Sequence, residues 1–323
     1  MISFFRDRSA VAVFWLIVLC FGLHIHSLLE TPPIVAVPAD GFLYYLLQPF
    51  QNTDAYFISL LYVVFIFLLA LQLNFMVNSL RMMPKPSYTT ALALILFSAL
   101  IPSFNVITPA LFASNFFIWI LYRASKLYAA PKPKTAIYNF GLLNGLCILL
   151  YYPSLPLVLI ALFALMIMRA FRLNEWFVLF FGIITPAYIL GGYLFLSGDL
   201  NLIPKPQELF GLMRLPLQPM GIIVSLSIVA VTVIWSIFSV ENTGSNTLIQ
   251  VRKSWTVFLA SLIFITPVVF FVKDAFPAAL FLAMIPAASY TGYAFAINRN
   301  ILPVIFFWLL LGLAIYNNWF ANY

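Results

Sequence analysis

Eleven stretches of this chain, 14 to 22 residues long, contain no Lys, Arg, Asp or Glu. They run Ala10 to Leu29, Tyr56 to Val77, Tyr88 to Ile101, Thr108 to Tyr122, Ala136 to Tyr152, Ser154 to Met168, Trp176 to Leu196, Met220 to Val240, Trp255 to Val272, Phe276 to Ile297 and Ile301 to Phe320. A hydrocarbon core about 30 Å thick takes about 20 residues of helix, and a chain in hydrocarbon must satisfy its own backbone polar groups. Only 8% of the 323 residues are charged, about a third of the roughly 25% found in soluble domains. The sequence therefore predicts an all-α, polytopic integral membrane helical bundle of about eleven transmembrane helices, with a range of ten to twelve. Soluble enzymes, DNA-binding modules and disordered linkers are excluded. The four runs from Tyr88 to Met168 are short and broken by Pro102, Pro109, Pro153 and Pro156. They read as two hairpins of short helices, with re-entrant segments as the alternative.

The charges predict which way the bundle faces. With the runs alternating across the membrane, Arg6, Arg8, Arg81, Lys85, Arg123, Lys126, Lys132, Lys134, Arg169, Arg172, Arg252, Lys253 and Arg299 fall on one side, and only Lys205, Arg214 and Lys273 on the other, a split of 13 to 3. Cytoplasmic loops hold the excess of Lys and Arg, so the N-terminus is expected in the cytoplasm and the C-terminus outside, in a bacterial inner membrane. Topology and anionic lipid account for the net charge of +7 without nucleic acid as a partner. Met1 to Arg8 ahead of the first run resembles a signal peptide, but no small-residue cleavage site follows directly, and the run is read as a retained first helix. One transmembrane domain is expected over 1–323. A flexible joint at Asn242, Gly244, Ser245 and Asn246 would divide it into an eight-span part, 1–240, and a three-helix group, 255–323.

Ionisable residues within a span are functional by default, and none lies away from the span ends, which argues against a proton-coupled or sodium-coupled carrier. His24 and His26 come nearest. Two residues apart on a helix, they point about 200° apart, a poor arrangement for one metal; His26 is kept as a contact for an outer phosphate or lipid headgroup. Gln72, Asn74, Asn115, Asn139 and Asn144 are amides inside runs. Gly141-x-x-x-Gly145 has the spacing that lets two helix backbones approach, so Asn139, Gly141, Asn144 and Gly145 are assigned to helix packing. Thr185-Pro186, Thr266-Pro267 and Ile285-Pro286 mark kinks. Cys20 and Cys147 read as small hydrophobes. No metal cluster, phosphate loop or nucleophile elbow is found.

The two longest external segments, Glu30 to Ala55 and Ser197 to Pro219, concentrate the remaining chemistry. In the first, Asp40 is expected to cap a short interfacial helix through Phe42, Leu43, Tyr44, Tyr45, Leu46 and Leu47. An acid held there can act as base toward a lipid-delivered sugar or an acceptor hydroxyl. In the second, Lys205 and Arg214 oppose the charge bias, as a lipid pyrophosphate would reward.

This layout, a first helix starting inside, an acidic external loop with an interfacial helix, then short hairpins and a second external loop, resembles the C-type polyprenyl-phosphate-sugar glycosyltransferases over about the first 220 residues. The resemblance implies a base, or metal-associated acid, at Asp40, with Glu30 or Asp54 as substitutes, a polyprenyl-phosphate-linked donor, and a divalent cation as an optional partner. The loop lacks the adjacent acidic pair of that family, and the chain is shorter than most members. It is also similar to multi-pass proteins of bacterial inner membranes, a likeness that implies no activity. Three functions stay open: a transferase of lipid-linked glycan assembly, a non-catalytic subunit scaffolding a membrane protein partner, and a lipid or small-solute transporter.

Overall fold

The computed structural model describes residues 2–30, 32–36, 40–52, 54–199, 202, 220–244, 247–271 and 276–320. Their regular structure is all helical apart from one isolated parallel bridge between Ile34 and Ile107. The α-helices, in chain order, are α1 (Ile2–Phe5), α2 (Ala10–Leu23), α3 (Ile25–Leu29), α4 (Leu43–Leu47), α5 (Ala55–Ser79), α6 (Thr89–Ala99), α7 (Pro109–Lys126), α8 (Pro133–Leu150), α9 (Leu157–Met168), α10 (Leu173–Ser197), α11 (Met220–Gly244), α12 (Ile249–Ile265), α13 (Val268–Phe271), α14 (Ala278–Ile297) and α15 (Leu302–Trp319).

Six candidate spans, rather than about eleven, are long and apolar enough to cross a membrane: Tyr56–Ser79, Leu173–Ser197, Met220–Thr243, Ile249–Phe271, Ala278–Ile297 and Leu302–Trp319. The count of eleven treated every uncharged run as a span. Yet α6 has 11 residues and α9 has 12, which reach only about 16 and 18 Å at 1.5 Å per residue. Helix α2 stops at His24, where the backbone turns to φ −99 and ψ 17 before α3 restarts. Helices α7 and α8 reach 18 residues each, but carry Asn115, Arg123 and Lys126 in one and Lys134, Asn139 and Asn144 in the other. Pro109 and Pro133 open α7 and α8 at the position where the missing N–H is not needed. Of the expected kinks, Pro186 and Pro286 lie inside continuous helices, whereas Pro267 separates α12 from α13.

Burial is uneven. Every residue of α6 is buried, and 83% of the span window of α14 is buried against 17% of that of α10. A helix apolar all round belongs in the centre of a bundle. Small residues let α6 and α14 meet there: a Cβ at Gly292 would lie 2.5 Å from Cα of Thr90. One buried apolar cluster runs from Ile2 in α1 to Ala314 in α15.

Helix α10 is held mainly along α8. A Cβ on Gly141 would fall 2.6 Å from the Leu179 carbonyl oxygen, one on Gly182 would fall 2.6 Å from that of Tyr138, and one on Gly145 would collide with the Ile183 carbonyl. The small-residue spacing thus works with a third glycine on the facing helix, and Tyr138 and Thr185 add a hydroxyl pair at 3.1 Å. Asn144 is buried in α8 and donates to the Phe140 carbonyl at 2.7 Å. Asn139, assigned to the same packing, is instead exposed on the helix surface.

The loops gather at two poles. At one, Arg6 donates to the carbonyls of Phe295 and Asn298, the Tyr88 N–H meets the Phe5 carbonyl, Gln250 reaches the Ser125 carbonyl, Lys253 lies over the Tyr128 ring, and Arg169 grips buried Glu175 at 2.8 and 3.0 Å. At the other, Val35 bonds Ile107, Phe42 bonds Leu149 and Tyr45 reaches Leu202. The segments bearing Arg6, Lys126, Arg169, Lys253 and Arg299 belong to the first pole, called positive below; the second is called the outer pole.

Replacing Gly145 or Gly182 by Leu should lower bundle stability by about 2 kcal/mol or more through overpacking, read as a fall in melting temperature in detergent. Gly312→Ala, at a glycine with open space around it, should leave the melting temperature unchanged. Equal effects at all three positions would contradict the α8–α10 contact.

Candidate functional site at the outer pole

Helix α6 ends inside protein, so its last carbonyls need side-chain partners. Asn317 Nδ2 donates to the Leu100 carbonyl at 2.8 Å and to Ser225 Oγ at 2.7 Å. Asn318 Nδ2 donates to the carbonyls of Ala99 and Ala314 at 2.7 Å, and its Oδ1 accepts from Asn105 at 3.1 Å. The Tyr62 hydroxyl donates to the Phe104 carbonyl at 3.0 Å. Fully buried His24 places Nδ1 2.9 Å from the Cys20 carbonyl and Nε2 3.3 Å from Ser98 Oγ. A neutral ring protonated on Nδ1 serves both contacts. This network is neutral and holds helix ends together, leaving only Asn317 Oδ1 of its side-chain atoms buried without a partner. His24 is thus bound into the helix ends.

The acid-bearing corner is different. In the segment before α4, Gly41 has φ +137, a conformation that L side chains rarely adopt, and a Cβ there would lie 2.7 Å from the Leu150 carbonyl carbon. Gly41 thus lets the loop press onto the end of α8, where the Phe42 N–H satisfies the free Leu149 carbonyl at 3.0 Å. The sequence expectation that Asp40 is the N-cap of α4 is corrected: the N-cap is Phe42, which makes no side-chain cap bond. The predicted interfacial helix is present but short, with a 3-10 turn, Gln48–Asn52, continuing it.

The contact of Gly41 with Leu150 and Tyr151 brings the neighbouring Asp40 to the turn just beyond α8. Burial, and then the Asp40 carboxylate, push the Tyr151 phenol well above the ordinary tyrosine range. The hydroxyl of Tyr151 is buried and has no hydrogen-bond partner. Around this pair, Tyr45 lies edge-on to Tyr44 at 5.1 Å and tilted against Phe42 at 5.8 Å. Tyr152 then leads into an apolar groove of about 250 Å³, whose walls include Leu155, Leu159, Ile263, Phe264 and Phe271. The break at Pro267 forms one side of this groove. The corner thus combines a carboxylate, an unsatisfied phenol, tyrosine rings and an apolar trough.

The other sequence candidates separate. Glu30 sits 3.6 Å from His26, and the His26 ring meets Trp319 edge-on at 5.8 Å, so these two form a pair of their own. Asp54 occupies the N-cap position of α5, exposed and without a side-chain cap bond. Lys205 and Arg214 lie outside the described residues. Among the described residues no three His, Cys, Asp or Glu side chains gather to hold a metal ion. Sequence reasoning missed Tyr62, Ser98, Asn105, Asn317 and Asn318. The adjacent amides near the end of the last run were the available signal, since two polar residues side by side in an apolar helix need partners.

Comparison with protein-family models, with curated proteins and with solved structures finds no match to this chain. The glycosyltransferase resemblance accordingly has no matching family behind it. What composition and helices together establish is a multi-pass helical integral membrane protein in contact with lipid.

Tyr151→Phe removes the unsatisfied hydroxyl and should leave the protein as stable or stabilise it by about 1 kcal/mol, measured by thermal unfolding. Asn318→Leu strips two carbonyls of a donor and should destabilise by about 2 kcal/mol. The reverse order would show that the two side chains have exchanged structural roles.

Proposed function

We propose that the protein acts on a lipid-linked saccharide at the external face of a bacterial cytoplasmic membrane, with Asp40 as the base that receives the proton of an acceptor hydroxyl. The single observation that supports this reading most is the packing of Gly41, next to Asp40, on the Leu150–Tyr151 turn, from which Tyr152 lines an apolar groove. A lipid-linked saccharide has the same division, a hydroxyl-rich head and an apolar tail. Tyrosines offer apolar faces with polar tips at that boundary. In this reading Lys205 and Arg214 would neutralise the phosphate linking head to tail, with Glu30 and Asp54 as weaker substitutes for Asp40. The excess of Lys and Arg at the positive pole supports an orientation with that pole and the N-terminus in the cytoplasm.

A second reading, a scaffold for a membrane partner, is favoured by α10. This span keeps only 17% of its window buried and turns Phe177, Phe181, Tyr188, Ile189 and Tyr193 outward. It would offer a long aromatic face to another helix.

Asp40→Asn should lower transfer to acceptor by about 10²- to 10⁴-fold, the range for loss of a general base, with an unchanged melting temperature. Leu159→Trp, which narrows the groove, should weaken retention of the lipid-linked donor without touching Asp40. Purification in nanodiscs, with mass spectrometry of co-purifying lipids and proteins, checks both. An unaltered envelope glycan profile in Asp40→Asn, together with a stoichiometric protein partner and no such lipid, would replace the enzyme reading with the scaffold.

A further inference from the structure

The positive pole holds a second site with different chemistry. On α5, Leu71, Asn74, Phe75 and Asn78 follow the spacing i, i+3, i+4, i+7 and so share one helix face. With Arg8, Ser79, Pro86 and Tyr88 they line a cavity of about 310 Å³. Asn78 is fully used: its Nδ2 donates to the carbonyls of Asn74 and Ser87 at 2.9 Å, and its Oδ1 accepts the Ser87 N–H at 3.2 Å. These bonds fasten the loop after α5 and fix one wall of the cavity.

Asn74 is not satisfied in this way. It is only 4% exposed, and its Oδ1 is buried without a hydrogen-bond partner. A buried acceptor left unpaired costs about 1 to 3 kcal/mol, and this amide borders the cavity. Arg8 lines the same cavity, exposed and outside the two acid–base contacts found among the described residues, His26–Glu30 and Arg169–Glu175. The neighbouring loop adds Arg81 and Lys85, and Asp7 is the one acid in the two segments 1–8 and 81–88. The field in this corner therefore favours an anion.

The same helix face continues away from the cavity as bare hydrocarbon. Leu61, Val64, Leu68 and Phe75 are all exposed, and the helix rises about 21 Å from the first to the last. One leaflet of hydrocarbon is about 15 Å deep.

We propose that this groove binds one anionic glycerophospholipid, with its phosphate on Arg8, its polar headgroup against the Asn74 amide, and an acyl chain along the Leu68–Leu61 stripe. Phosphatidylglycerol has this combination of a single negative phosphate and free hydroxyls. The site is separate from the Asp40 corner and does not depend on the reading given to it.

The test uses purified full-length protein in vesicles containing equal amounts of phosphatidylglycerol and phosphatidylethanolamine, with retained lipid counted by native mass spectrometry. The wild type should hold one phosphatidylglycerol in preference to phosphatidylethanolamine. Arg8→Gln and Asn74→Leu should each weaken it about tenfold, the effect of losing one hydrogen bond to a charged or buried partner. Inorganic phosphate at millimolar concentration should not displace the lipid, because it cannot use the apolar stripe. Equal retention of the two lipids, wild-type retention by Arg8→Gln, or displacement by phosphate would each overturn the proposal. Asn74→Leu removes the unpaired amide and should not lower the melting temperature; if that variant does not fold, Arg8→Gln at an exposed side chain decides the question alone.

Discussion

The bundle depends on one requirement: helix α6, 11 residues long and buried throughout, must end where no water can reach its carbonyls. In hydrocarbon an unmade backbone hydrogen bond costs several kcal/mol, so the end of α6 has to be finished by side chains. Asn317 and Asn318 do this from the last helix, more than 200 residues away in sequence. Asn105, Tyr62, Ser98 and His24 extend the same solution over the neighbouring turns. Because every member is neutral, the network avoids the larger penalty of a charge in a low-dielectric interior. It also joins the first and last helices to the centre, making the outer pole one connected surface.

The two poles divide the remaining chemistry. At the positive pole, Arg6 donates to carbonyls, Arg169 to the buried Glu175 carboxylate, and Lys126 and Lys253 lie over tyrosine rings. Arg8 lines a cavity together with an unsatisfied amide, that of Asn74. The outer pole has few described charges. There Gly41 brings the segment carrying Asp40 onto the end of α8, beside the buried, unpartnered Tyr151 hydroxyl. Both places of interest are therefore ones where polar satisfaction fails locally, each beside an apolar groove or stripe that a lipid tail would fill.

Much of this was legible in the sequence, and the limits have physical causes. Uncharged runs announced helices in hydrocarbon, and Gly141-x-x-x-Gly145 announced a close helix contact; Gly182 on the partner helix could not be foreseen because packing partners are not adjacent in sequence. The span count was too high because hydropathy does not separate a helix bathed in lipid from one enclosed by other helices: α6 is as apolar as α5 but too short to cross. The expectation that Asp40 caps α4 failed because the loop is tied to α8 by a contact distant in sequence. Tyr151 drew no notice as one more tyrosine at the end of an apolar run, since an unsatisfied hydroxyl is a property of surroundings. The amides Gln72 and Asn115 did pair, at 3.3 Å between α5 and α7, as polar groups in a bundle should.

Every functional assignment rests on the two poles lying on opposite sides of the membrane, with the positive pole inside. Both native cysteines are buried, so a membrane-impermeant maleimide reports on introduced cysteines against a silent background. Gln48→Cys, exposed at the outer pole, and Lys85→Cys, exposed at the positive pole, give the most direct test in intact spheroplasts. The account requires Gln48→Cys to label from outside and Lys85→Cys to label only after lysis. Labelling of Lys85→Cys in intact spheroplasts, with Gln48→Cys protected until lysis, would contradict it and put the Asp40 corner in the cytoplasm.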